Sequence, residues 1–166
     1  MRYGKPMWGV LLSLLLYGCA SSAMESYQPK NPEEALVVAT LMKIPNGINS
    51  RSLDMIMQPY AEDAYIGNFH KYLGVAAPGS PIARNKGDLR ATYAQVFKDV
   101  KDVNMVVRSF HVVVSGDRAV AEGRTELTYK MEGGRGERRQ DLLLNDVLWR
   151  LQRTPAGWKI KEEIYQ

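Results

Sequence analysis

The last third of this chain leaves the fewest choices of fold. From Val103 onward, long β-type runs follow one another, broken only at Ser115-Gly116-Asp117, Gly133-Gly134-Arg135-Gly136 and Thr154-Pro155-Ala156-Gly157. Connections this short join antiparallel neighbours, because a parallel pair needs a crossover of a dozen or more residues. A four-strand antiparallel meander is therefore expected. In its second strand Ala119, Ala121, Gly123, Thr125, Leu127, Tyr129 and Met131 share one face, and Glu122, Arg124, Glu126 and Lys130 share the other. Side chains alternate across a strand, so one face of the sheet is buried and the other is wet. The small residues Ala119, Ala121 and Gly123 admit a close neighbour, and Gly123 suits a bend or bulge that curves the sheet. A curved sheet with a few helices can enclose a cavity.

Upstream, the apolar period lengthens to that of helices. Asn31-Pro32-Glu33-Glu34 supplies a cap, a proline at the first helical position and acids in the first turn. It leads into a helix from Ala35 to Lys43, which Pro45-Asn46-Gly47 is expected to stop. A second helix from about Ser50 to Gln58 puts Leu53, Ile56, Met57 and then Tyr60 on one side. Tyr60 to Gly67 reads as a helix end giving way to an extended segment running towards Tyr72, and Gly74 to Pro81 as a loop. A third helix from about Lys86 to Lys98 carries Leu89, Tyr93, Val96 and Phe97 in one stripe.

The amino terminus carries a different message. Arg2 and Lys5 precede an apolar run from Met7 to Tyr17, which reaches Leu16-Tyr17-Gly18-Cys19 before a polar stretch begins at Ala20. Charged, apolar, then small is the order of a secretory signal. The apolar core is far shorter than the roughly 20 residues that crossing a bilayer requires. Cys19 is the only cysteine, which excludes an intramolecular disulfide. Its position after Gly18 resembles the bacterial lipobox, which implies a diacylglyceryl group on Cys19, loss of residues 1–18 and acylation of the new amino terminus. Ala20 resembles the pattern sorted to the outer membrane. The expected location is therefore the cell envelope, lipid-anchored at the outer membrane and facing the periplasm. Residues 19–30 read as a lipidated polar tether, and residues 31–166 as one domain. Without Arg2 and Lys5 the formal charge of +4 falls to +2. Lys and Arg are interspersed with Asp and Glu, so a nucleic-acid partner is set aside.

Three helices, a short strand after Tyr60-Ala61-Glu62-Asp63-Ala64, then long strands ending in Val147-Leu148-Trp149-Arg150-Leu151 and Gly157-Trp158-Lys159-Ile160 resemble the nuclear transport factor two-like superfamily. The SnoaL-like and ketosteroid isomerase-like proteins belong to it. The resemblance runs over about Asn31 to Gln166. It implies an α+β cone, three N-terminal helices packed in a strongly curved antiparallel sheet, with an apolar pocket at the open end. It also implies homodimers through the sheet's outer face. Carried onto this sequence, the pocket is lined by Tyr60, Asp63, Tyr65, Tyr93, Phe97 and Trp149, with Phe110 or His111 contributing from the first long strand. A slip of one residue in strand facing would exchange these side chains for their neighbours.

Asp63 is the candidate general base. Beside the phenols of Tyr60 and Tyr65 in an apolar cavity, a carboxylate would have a raised pKa and abstract a proton. The alternative is that Asp63 closes the preceding helix or bonds a nearby backbone amide. No tyrosine and protonated acid can be paired as an oxyanion hole. His70 and His111, the only histidines, lack metal-ligand spacing, so neither a metal nor another cofactor is expected. Gly133-Gly134-Arg135-Gly136 lies at a hairpin tip and reads as a turn, with Lys130, Arg135, Arg138 and Arg139 around it. Trp149 and Trp158 suit either the core or ligand stacking. With no complete catalytic set, the leading expectation is a non-enzymatic envelope lipoprotein whose domain binds a small apolar ligand or a protein partner. Two alternatives stand beside it: a lyase or isomerase using Asp63 with Tyr65 or Tyr93, and a structural subunit of an envelope or secretion assembly.

Overall fold

The computed structural model of the chain describes residues 23–69, 83–132 and 138–166. The leader with Cys19, His70, the Gly74–Pro81 loop and the tip Gly133–Gly136 lie outside the described residues. The meander is present as β2 (Val100–Ser115), β3 (Arg118–Glu132), β4 (Arg138–Thr154) and β5 (Gly157–Tyr165), each antiparallel to the next. Gly116 and Gly157 supply the left-handed backbone that two of its turns need, at φ 61° and 98°. The extended segment after the second predicted helix is β1 (Tyr60–Gly67), and the sheet order is β1-β5-β4-β3-β2. β1 pairs parallel to β5, so the sheet is mixed, where a wholly antiparallel one was expected. The chain between β1 and β5 includes a helix and three long strands, ample length for the crossover that parallel pairing demands.

Among the described residues the α-helices with full bounds are α1 (Pro32–Leu41), α2 (Lys43–Asn49), α3 (Leu53–Met57) and α4 (Lys86–Asp99). α1 starts as its sequence prescribes: the Asn31 side chain accepts the Glu34 N–H at 2.8 Å, with Pro32 at the first helical position. α4 repeats the device, Asn85 accepting the Asp88 N–H at 2.9 Å. Pro45-Asn46-Gly47 does not stop the helical path. Pro45 stands in the first turn of α2, where its missing N–H forfeits no bond. Gly47 lets α2 touch α3, since a Cβ there would come within 2.7 Å of Ile56 Cγ1. Val37, Leu41, Ile44, Ile48, Ile56 and Leu89 bury the helices against the inner face of the sheet.

Two bulges decide which side chains reach that inner face. In β2 the register passes from Arg108↔Arg124 to His111↔Glu122, leaving Ser109 and Phe110 opposite Gly123, with Ser109 at φ 51°. Met105 and Val107 face inward before the bulge, Phe110 and Val112 after it. In β5 the register passes from Leu151↔Ile160 to Arg150↔Glu162. Trp158 and Ile160 are buried before that shift, Glu163 and Tyr165 after it.

The stretch expected to be a free tether is partly folded. Met24, 2% exposed, opens a short 3-10 turn (Met24–Ser26), and Tyr27 packs edge-on against Phe110 with ring centroids 5.2 Å apart. These two apolar side chains in a polar stretch join the core over β2. Among the described residues, no helix is long and apolar enough to cross a membrane.

Candidate active site

The bulge in β5 carries a carboxyl group into the core. Glu163 is 0% exposed, and both its oxygens are engaged. Tyr60, at the start of β1, donates its hydroxyl to Oε2, and Tyr165, two residues along β5, donates to Oε1 at 2.5 Å. Trp149, 1% exposed, is the cross-strand partner of Glu163 on β4. Phe69 stands edge-on to both Tyr165 and Tyr93, at 5.5 and 5.6 Å between centroids.

Burial pushes the Glu163 carboxyl above its ordinary range, and the hydroxyls of Tyr165 and Tyr60 with the Trp149 indole pull it back only in part. The Trp149 N–H lies close enough to favour the carboxylate but makes no hydrogen bond of normal geometry, and it has no other acceptor. A buried carboxyl with raised proton affinity, held by two phenols in an aromatic shell, is the equipment of a general base.

Of the residues singled out from sequence, the structure brings Tyr60, Tyr93 and Trp149 together in the interior, with Phe97 half-buried beside Tyr93 at 5.9 Å. Asp63, Tyr65 and His111 are corrections. Ala64 and Ile66 take the inner face of β1, which leaves Asp63 and Tyr65 outside, Tyr65 being 54% exposed. Asp63 is ion-paired with Lys161 at 2.5 Å, and that bond holds its carboxyl below the usual range. His111 follows the β2 bulge and faces solvent, while its neighbour Phe110 turns inward. Cys19 and His70 lie outside the described residues.

Glu163 was missed for a definable reason. Strict alternation from Trp158 and Ile160 would turn Glu162 and Ile164 inward and Glu163 outward; the bulge reverses this. The available signal is that either register places a glutamate on an apolar face.

Elsewhere, an open groove of about 350 Å³ is lined by Asn49, Arg51, Asp102, Thr128, Lys130 and their neighbours, and shares no residue with the Glu163 cluster. Its charges are already engaged, Arg51 on the Val100 carbonyl at 2.6 Å and Lys130 on Asp102 at 3.1 Å. Among the described residues no three His, Cys, Asp or Glu side chains gather as a metal-binding group.

No family model matches the sequence, and no curated protein matches it. Solved structures do share the fold. A candidate scytalone dehydratase of Novosphingobium aromaticivorans superposes with a TM-score of 0.65 at 12% identity, over 81% of this chain and 83% of that one. A ketosteroid isomerase-like protein of Erwinia carotovora atroseptica gives 0.60 at 22% identity, over 81% and 95%. An ntf2-like protein with a cystatin-like fold, also of Novosphingobium aromaticivorans, gives 0.58 at 16%, over 80% of each chain. With its curved mixed sheet and few helices, this chain has the ntf2-like, cystatin-like α+β fold of these proteins.

Proposed function

We propose that the domain is an acid–base site for a small, mostly apolar ligand, a lyase or isomerase whose base is Glu163. The single observation that carries this reading is the fully buried carboxyl held by Tyr60 and Tyr165. It replaces catalysis by Asp63, which lies on the outer side of β1 in an ion pair with Lys161. In the reaction the Glu163 carboxylate removes a proton from carbon next to a ligand carbonyl, and the C–H pair becomes the enolate. Returning the proton to another carbon completes an isomerisation; returning it to a departing hydroxyl releases water. A structure of the same fold described as a candidate scytalone dehydratase and another described as ketosteroid isomerase-like are in keeping with this class.

The test is deuterium uptake from heavy water by a panel of cyclic ketones. Wild type is expected to exchange their acidic C–H positions, Glu163→Gln to lose the exchange, and Asp63→Asn to keep it. Exchange that survives Glu163→Gln would sink the proposal.

The proposal also places the domain at the envelope through a lipid on Cys19, supported by the leader, the lipobox-like Leu16-Tyr17-Gly18-Cys19 and Ala20. Membrane fractionation with intact mass should show wild type beginning at Cys19 and carrying acyl groups, and Cys19→Ser without acyl groups and retaining residues 1–18. A second reading, docking of another copy or of an envelope protein, is favoured by Val113, Val120, Leu142 and Leu144, all exposed on the outer face of β2–β4. A paired Leu142→Lys and Leu144→Lys variant should then sediment as a smaller species than wild type.

A further inference from the structure

Lysines from three different elements come together where α3 passes into β1. Lys159 of β5 donates to the Gln58 carbonyl at 2.6 Å, and Lys86, the first residue of α4, donates to the Tyr60 carbonyl at 3.3 Å. Those carbonyls flank Pro59, so one short stretch of backbone fixes both ammonium groups. Lys43, the first residue of α2, adds its charge from a third side. Burial, then the charges of Lys86 and Lys43, hold the half-buried Lys159 ammonium below its ordinary range, and only Glu62 opposes them.

Neutralisation of this group is incomplete. Glu62 on β1 pairs with Lys86 at 2.5 Å, but its side chain is 92% exposed where that of Lys86 is 21% exposed. Among the described residues, Lys159 and Lys43 have no carboxylate partner. Lys130 and Lys161, by contrast, each hold an aspartate. Partly desolvated ammonium groups held close to one another raise the free energy of the empty site, and an anion lowers it. A carboxylate ligand would offset a single charge. A phosphomonoester brings about two negative charges and three strong acceptor oxygens, one for each ammonium.

We infer that Lys43, Lys86 and Lys159 form a binding site for the phosphate group of a phosphomonoester. The phosphate displaces the solvated Glu62 from Lys86 and gives Lys159 and Lys43 the counterion they lack. Whether Glu163 acts as a base has no bearing on this site: the Tyr60 carbonyl serves Lys86, while the Tyr60 hydroxyl serves Glu163.

The experiment titrates the full chain, isotope-labelled at lysine nitrogen, with inorganic phosphate and follows the Nζ resonances by NMR. Phosphate should move Lys43, Lys86 and Lys159 together and leave Lys130 and Lys161 in place; acetate at equal ionic strength should move them far less. Lys159→Gln should weaken phosphate binding at least about tenfold, the share of one charge-assisted hydrogen bond. Glu62→Gln, at an exposed position, should tighten it about two- to fivefold by removing the competing carboxylate. Glycerol phosphate and vesicles containing phosphatidic acid then identify the source: competition by the first marks a soluble phosphomonoester, competition by the second a lipid headgroup. If neither competes, the lysines take up an adventitious ion only, and the inference falls. It falls equally if phosphate moves every lysine alike, or if neither variant changes its affinity.

Discussion

Asp63 and Glu163 are carboxyl groups on neighbouring, paired strands, and their surroundings drive them in opposite directions. Asp63 sits on the outer side of β1, in water, with an ammonium group 2.5 Å away; the Lys161 bond lowers its pKa. Glu163 sits on the inner side of β5 with phenols and an indole for company and no countercharge among its hydrogen-bond partners; burial raises its pKa. The lesson is that residue type says little about acid–base function until the side of the strand is known. One slip in strand register separates a solvated ion pair from a poised base.

Aromatic packing around the inner carboxyl should yield the largest effects. Trp149→Ala and Phe69→Ala each remove a fully buried ring and should cost about 3–5 kcal/mol in denaturant unfolding. Next comes Tyr165→Phe, which strips one donor from a buried carboxylate; a loss of about 1–3 kcal/mol is expected.

The pH dependence of stability then separates the two carboxyls by sign. Native Glu163 keeps its proton to higher pH than the unfolded chain does. Its contribution is complete below its ordinary value of 4.5 and is lost as pH rises through the raised one. Glu163→Gln should flatten that fall. For Asp63 the sign reverses: its contribution is present above the ordinary 3.8 and is lost as pH drops through the lowered value. Asp63→Asn should be the smallest effect of all, a stability indistinguishable from wild type at neutral pH, because the Asp63 side chain is largely solvated.

Much of the scaffold was legible in advance. The turn chemistry at Gly116 and Gly157 fixed two meander connections, the Asn31 and Pro32 pair fixed the start of α1, and the alternation from Ala119 to Leu127 fixed the inner face of β3. Parallel pairing of β1 was not legible, because nothing local in Tyr60–Gly67 names its distant partner. Of the site, the aromatic members were readable as large apolar residues on helix and strand stripes. The acid was not, since bulges in β2 and β5 shift the parity that facing arguments depend on. The β5 bulge carries no glycine to announce it; the β2 bulge lies opposite Gly123, where a bend or bulge was expected, but its left-handed residue is Ser109, so the parity change inside β2 was not readable.

The most direct test follows the side-chain carboxyl carbons of Glu163 and Asp63 by NMR through a pH titration of the same sample. The account predicts a Glu163 midpoint above 4.5 and an Asp63 midpoint below 3.8. A Glu163 midpoint at or below 4.5 would mean that the interior does not raise its proton affinity, and would contradict its assignment as the base.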